Sequence, residues 1–230
     1  MFSKSSKQIR ESIYGFLAVS VVAENGPQKT VTASNGTAFM IKQGYLITAA
    51  HSVHQNADRN KPVHQTFELI CATDIGQQME TAVFVAEDPL QDIALLKIEN
   101  PKNKIFVTLE EEIVPRGTSC GFLGFPLSEV KFMPNGQRQF ALFERFQGAY
   151  ISNYSMHKDT NEKKSLYEVD TLMYSGSSGC PAFNVDSIVI GMQIAATVQK
   201  QGGSSPERIA ISQVVPSTEI IKFLKSQKIL

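Results

Sequence analysis

The sequence predicts an all-β protein built in two halves and closed by a helix. Three observations carry that reading. Short β-like runs alternate with Gly, Pro, Asn and Asp turns along most of the chain, a turn-rich break falls near its middle, and apolar residues take helical spacing at the C-terminal end. The 230 residues suffice for one substantial core or two small ones, so a sandwich or a pair of barrels is the expected architecture.

Lys4, Lys7 and Arg10 precede an apolar stretch over residues 13–23. Two readings are open: an export signal ending at Val21-Val22-Ala23, or a first strand over residues 14–23 after a polar lead-in. Glu11 and Ser12 interrupt the signal-like pattern and favour the strand, and no stretch reaches the ~18 apolar residues of a membrane span. Residues 31–34 lead into a run at 36–41, and 45–48 follows the turn at Gln43-Gly44. Residues 66–72, 80–86 and 93–98 complete the first half. Pro89, Pro101 and the cluster Asn100-Pro101-Lys102-Asn103 then break the chain, which places a linker at about residues 100–115.

In the second half, residues 119–124 precede Phe125-Pro126, and residues 139–151 are long enough for a strand pair or one bent strand. The polar stretch at 157–165 reads as a solvated loop. Strands at 166–174, 187–197 and 208–215 follow. After Pro216, residues 217–228 carry Ile220, Ile221, Phe223 and Leu224 at helical spacing, with Ser217 or Thr218 available as N-cap. One domain is therefore expected, with an N-terminal barrel at about 14–105, a C-terminal barrel at about 115–215 and a helix at about 217–228.

The 22 basic and 22 acidic residues cancel, so no global field favours nucleic acid or an anionic membrane as partner. The three cysteines, Cys71, Cys120 and Cys180, are odd in number and lack paired spacing, which is not a disulfide framework. Free thiols fit a reducing compartment. A cytoplasmic location is the expectation, with export the alternative if residues 1–23 act as a signal.

Chemistry concentrates in Gly176-Ser177-Ser178-Gly179-Cys180-Pro181, a G-x-S-G-x-P pattern whose small residues let the backbone turn tightly around an exposed hydroxyl. A serine alone is a poor nucleophile and needs a base and an orienting acid. Both candidates lie upstream, in Thr48-Ala49-Ala50-His51 and Asp92-Ile93-Ala94-Leu95-Leu96. The order His, Asp, Ser differs from the subtilisin and α/β-hydrolase orders. On these motifs the chain resembles the trypsin-like (chymotrypsin-fold) serine peptidases, and within them the bacterial HtrA-like branch. Gly36-Thr37-Ala38-Phe39 with Leu46-Ile47-Thr48-Ala49-Ala50-His51, Asp88 with Asp92-Ile93-Ala94-Leu95-Leu96-Lys97, Gly121-Phe122-Leu123-Gly124-Phe125-Pro126 and Gly191-Met192-Gln193-Ile194 carry the resemblance across about residues 14–224.

The resemblance implies two six-stranded chymotrypsin-like β-barrels with a C-terminal helix, without a PDZ-sized segment. It implies a serine endopeptidase acting on a protein or peptide, with Ser178 as nucleophile and His51 as general base and then acid. Asp92 would orient the imidazole, favoured over Asp88 by the D-I-A-L-L pattern. The N–H groups of Gly176 and Ser178 would form the oxyanion hole. Neither cofactor nor metal is required, because protein groups supply every proton transfer. The rate should rise as His51 loses its proton. A latent or non-catalytic peptidase-fold binding protein that needs a partner is the alternative, and an esterase is chemically allowed. His54, His64 and His157 lack supporting motifs and are expected at the surface. Oligomeric state stays open.

Three positions depart from the family pattern, and so does the specificity pocket. Ser177 replaces the Asp that pairs with a newly released N-terminus in animal relatives, so the site should be competent as made, or switched by loop ordering or a partner. Asn184 replaces a cysteine that commonly bridges to the position of Cys120. Cys180 takes the place of a glycine and reads as a buried small residue rather than a reactive thiol. The specificity pocket would have Leu172 as its floor and Ile194, Ala195, Ala196 and Thr197 as its walls. With no acidic residue there, small or medium apolar P1 side chains are expected. Arg208 turned inward would instead recruit an acidic P1; turned outward, it meets solvent.

Overall fold

The computed structural model describes residues 1–25, 28–73, 76–126, 128–132, 138–159, 162–199 and 207–230. The N-terminal half consists of α1 (Ser3–Arg10), β1 (Ile13–Asn25), β2 (Gln28–Lys42), β3 (Tyr45–Ala49), α2 (Ala50–Val53), β4 (Thr66–Thr73), β5 (Gly76–Asp88) and β6 (Ile93–Lys97). Its six strands close an antiparallel barrel in the order β1-β2-β3-β6-β5-β4. Along β1, Tyr14, Phe16 and Ala18 point into this barrel, where they meet Met40, Leu46, Leu69 and Leu96. Ile13, Phe39, Ile47 and Leu95 leave the same strands on the opposite face and join a core shared with the second half. Successive strand residues point to opposite faces, and here both faces are buried. That is why the first apolar run is nearly continuous and reads like a signal segment.

The polar lead-in is a helix, a local state that its composition does not show. Ile9 of α1 is buried in the shared core, and the Phe2 ring packs against Phe146 and Phe183 with centroids 5.7 and 6.0 Å away. Arg10 Nε reaches Glu144 Oε2 at 2.7 Å. Contacts from distant residues hold this short helix, in line with its length.

The C-terminal half follows as β7 (Thr108–Leu109), β8 (Ser119–Gly124), β9 (Glu129–Phe132), β10 (Arg138–Ala141), β11 (Arg145–Asp159), β12 (Glu162–Val169), β13 (Pro181–Phe183), β14 (Ile188–Gln199), β15 (Glu207–Pro216) and α3 (Ser217–Ser226). Strands β13-β8-β11-β12-β15-β14 form the second barrel, closed by pairing of β13 with β14. β7 adds to β14 in parallel, and β9 and β10 form a separate hairpin. The connecting segment touches both barrels. Val107 N–H donates to the Met40 carbonyl at 2.9 Å, and Glu110 N–H to that of Val189 at 2.8 Å.

Two expectations are corrected. The polar stretch at 157–165 is the far end of the β11–β12 hairpin, with His157 paired to Lys164 and Asp159 to Glu162. A polar, charged composition does not keep the backbone from pairing. Neither Ser217 nor Thr218 caps α3: β15 runs straight into the helix, Pro216 takes the N-cap position without a side-chain oxygen, and both hydroxyls are buried without a partner. Ile220, Phe223 and Leu224 pin α3 to the shared core instead. None of the three cysteines is in a disulfide, and all three are buried. Among the described residues no helix is long and apolar enough to cross a membrane.

Candidate active site

His51 and Asp92 come from adjacent strand ends. Ala49, the last residue of β3, pairs with Ile93, the first of β6, so the residues just beyond them meet. Asp92 holds a left-handed backbone (φ +61°), and its carbonyl accepts the Ala50 N–H at 3.0 Å. Its side chain grips His51 twice. Oδ1 accepts the His51 backbone N–H and Oδ2 the ring Nδ1–H, both at 2.8 Å. A carboxylate only accepts, so the proton of the neutral ring sits on Nδ1 and Nε2 is free to accept. The Ser178 hydroxyl lies 2.9 Å from that Nε2. Asp88 is outside this chain; its Oδ1 accepts the N–H groups of Leu90 and Gln91, both at 3.0 Å, and shapes the turn that delivers Asp92.

The loop bearing Ser178 is folded by local turns and clamped from the first barrel. Ser177 N–H donates to the Tyr174 carbonyl at 3.0 Å and Cys180 N–H to that of Ser177 at 2.9 Å. Gly176 and Gly179 have φ of +90° and +86°, the region glycine enters without penalty. Thr37 N–H donates to the Ser178 carbonyl at 2.8 Å. The Thr37 hydroxyl donates to the Gly176 carbonyl at 3.0 Å and accepts the Phe125 N–H at 3.1 Å. Thr48 Oγ1 in turn donates to the Thr37 carbonyl at 2.8 Å. In the sequence Thr37 stands only as part of the Gly36-Thr37-Ala38-Phe39 motif. A threonine in a strand carries no local sign that it will hold a loop 139 residues away.

A cavity of about 360 Å³ opens over Ser178 and His51. Met173, Tyr174, Gln193, Ala195 and Ala196 line it together with Gly176 and Ser178. Among the described residues, neither the Gly176 nor the Ser178 N–H donates to a protein acceptor. Of the pocket residues expected from sequence, Ala195 and Ala196 line the cavity. Leu172 does not; its carbonyl accepts Gln147 Nε2 at 3.0 Å, and Met173 and Tyr174 stand at the wall instead. Ile194 packs into the shared core and Thr197 lies off the lining. β14 is bulged between Gln193 and Ala195 and again between Ala196 and Val198, so strict alternation fails here: the successive Ala195 and Ala196 both reach the lining while Ile194 turns to the core. The side chains of Arg208 and His157 lie outside the described residues.

His54 and His64 are buried, contrary to expectation, with relative exposures of 6% and 3%. His54 sets Nδ1 against the Lys61 carbonyl at 2.6 Å and Nε2 against Glu87 Oε2 at 2.8 Å. His64 lies between the hydroxyls of Ser20 and Ser34, each at 3.1 Å. Burial, then the neighbouring His54, hold the His64 pKa below the usual histidine range. These contacts fasten the segment that follows α2. Burial also pushes the thiols of Cys71 and Cys120 up to about 12 and that of Cys180 further. Cys180 Sγ donates to the Leu123 carbonyl at 2.9 Å.

Residues 36–192 match the trypsin-like peptidase domain. The periplasmic serine endoprotease DegP of Salmonella typhimurium (strain LT2) is 27% identical over 203 residues, covering 88% of this chain and 37% of DegP, so the chain spans little more than a third of that relative. The HtrA-type protease AlgW, solved with a decapeptide, superposes with a TM-score of 0.68 at 18% identity, over 98% of this chain and 67% of AlgW. An M. tuberculosis protease in its active form gives a TM-score of 0.68 at 16% identity, over 96% and 82% of the two chains. At such identities the structural likeness shows the two-barrel fold, and the domain match covers more than half of the sequence: the chain belongs to the trypsin-like peptidase family.

Proposed function

We propose that the chain is a serine endopeptidase that cleaves peptide bonds through an acyl-enzyme on Ser178. The observation that carries this is the continuous hydrogen-bond chain from Asp92 through His51 to Ser178, at 2.8 and 2.9 Å. The Ser178 oxygen attacks the scissile carbonyl carbon as its proton passes to His51 Nε2, while Asp92 stabilises the imidazolium through Nδ1–H. The oxyanion takes the free N–H groups of Gly176 and Ser178, where one donor in comparable sites is worth ~10²–10³ in rate. His51 returns the proton to the leaving amine as the C–N bond breaks. Water then repeats the sequence, releasing the acid and restoring Ser178.

The same hydrogen bonds support a site competent without N-terminal processing. Ser177, 2% exposed, fills the position of the family's pairing Asp, and Thr37 supplies the clamp on the loop. Free buried thiols suit a reducing compartment, where we place the enzyme.

The test is labelling with a fluorophosphonate probe, beside Ser178→Ala and His51→Ala, with the modified residue mapped by mass spectrometry. Labelling on Ser178 that both substitutions abolish is the expected result. An unlabelled wild type would overturn the reading in favour of a non-catalytic or partner-dependent protein.

A further inference from the structure

We propose that Gln193 reads the P1 side chain and selects a neutral hydrogen-bonding residue, with Gln and Asn foremost. This rests on the peptidase reading above and names the substrate class of the same site.

Gln193 is only 3% exposed, yet it lines the cavity beside Ser178. Its neighbours Met192 and Ile194 both pack into the shared core. Gln193 pairs with Val214, which packs inside the second barrel with Met173, so the Gln193 side chain faces that interior, where Met173 and Tyr174 line the cavity. The backbone fixes its distance from the nucleophile. Gln193 N–H donates to the Cys180 carbonyl at 2.9 Å, and its own carbonyl accepts the Gly179 N–H at 2.8 Å. The facing wall is equally fixed: Ser212 Oγ donates to the Thr171 carbonyl at 2.8 Å and accepts the Met173 N–H at 3.2 Å.

The side-chain oxygen of Gln193 is buried with no hydrogen-bond partner. Buried polar atoms are nearly always paired, and an orphan at a ligand-facing wall is satisfied when a ligand donor arrives. Among the described residues the lining of this cavity holds no Asp, Glu, Lys or Arg. A cationic P1 would lose its hydration there without a countercharge, and an anionic P1 would meet no cation among the described lining residues. An apolar P1 would leave that buried oxygen unpaired. A carboxamide P1 donates an N–H to the Gln193 oxygen, and because it carries both a donor and an acceptor it pairs with whichever amide atom holds that position. This reading differs from the apolar P1 expected from sequence; Leu172 and Ile194 are not on the lining of this cavity.

The test is cleavage of a peptide library in which every residue is equally represented, with cut sites read by mass spectrometry for the wild type and Gln193→Leu. The expected wild-type result is a preference of about tenfold or more in kcat/KM for P1 Gln over Met and Asn over Leu, since a site built to hydrogen-bond rejects analogues lacking the group. Gln193→Leu should reverse it, and Gln193→Glu should shift it towards Lys. If Gln193→Leu does not fold, the wild-type ratio decides alone. Wild-type labelling on Ser178 together with a wild-type preference for Met or Leu would overturn this proposal and leave the peptidase reading standing. Absence of labelling would overturn both.

Discussion

The Thr37 backbone N–H donates to the Ser178 carbonyl at 2.8 Å, so a strand of the first barrel holds the nucleophile residue of the second. The Thr37 hydroxyl adds two further bonds, to Gly176 and from Phe125. Thr37→Val keeps the shape and removes both. We expect a loss of about 1–3 kcal/mol in stability from the buried groups left unpaired. We also expect kcat to fall by up to ~10²-fold, the scale of an ångström-sized misplacement near the chemistry. Urea unfolding and steady-state kinetics beside Thr37→Ser measure the two effects. Lower stability with unchanged kcat would reduce Thr37 to a purely structural residue.

Gly179 stands at φ +86°, and a Cβ there would collide with the Thr37 carbonyl. Gly117 has φ +84° but nothing within 4 Å of its would-be Cβ. Gly117→Ala should therefore cost only the ~1–2 kcal/mol of a left-handed alanine. Gly179→Ala adds a backbone clash and should abolish probe labelling of Ser178. Thermal melts and labelling of both variants check this; equal behaviour would refute the clamp between Thr37 and the nucleophile loop.

Asp92→Asn places an amide where His51 now has a pure acceptor on both its N–H groups. An amide that donates to the ring stabilises the wrong tautomer, and kcat should fall by ~10⁴, as in comparable triads. Asp88→Asn retains the acceptor that caps the Leu90 and Gln91 turn and should lower kcat less than tenfold. A similar loss from both would point to turn geometry rather than proton chemistry.

Stability should fall on acidification through His64. Its folded pKa is depressed by burial and by His54, whereas the unfolded chain takes up the proton near the ordinary ~6.5. Below that pH the unfolded state binds more protons, so the contribution is present above about pH 6.5 and is lost as pH drops. The urea midpoint of the wild type should decline between pH 8 and pH 5.5 more than that of His64→Gln. Parallel declines would assign the effect elsewhere.

The chemistry of the site was legible because it is written in contiguous residues. Gly176 to Pro181 must turn tightly around Ser178, and that demand falls on local backbone geometry that glycine meets. His51 and Asp92 sit at the ends of apolar runs that pair as β3 and β6, so the motif and the strand that presents it lie in one stretch. The C-terminal helix was legible for the same reason: Ile220, Phe223 and Leu224 show their face within two turns.

What the sequence alone determined is therefore the two-barrel class, the C-terminal helix and the identity of the three polar side chains that meet. Tertiary structure alone decided which other residues serve them. His64 is buried because Ser20 and Ser34, 44 and 30 residues away, take its two nitrogens. The lead-in is helical because Phe2 and Ile9 find distant apolar partners. Gln193 rather than Leu172 lines the pocket because Gln193 pairs with Val214, which packs inside the second barrel with Met173. Motifs encode local backbone demands, while burial and pairing depend on partners that chain closure brings together, and residue type does not name those partners in advance.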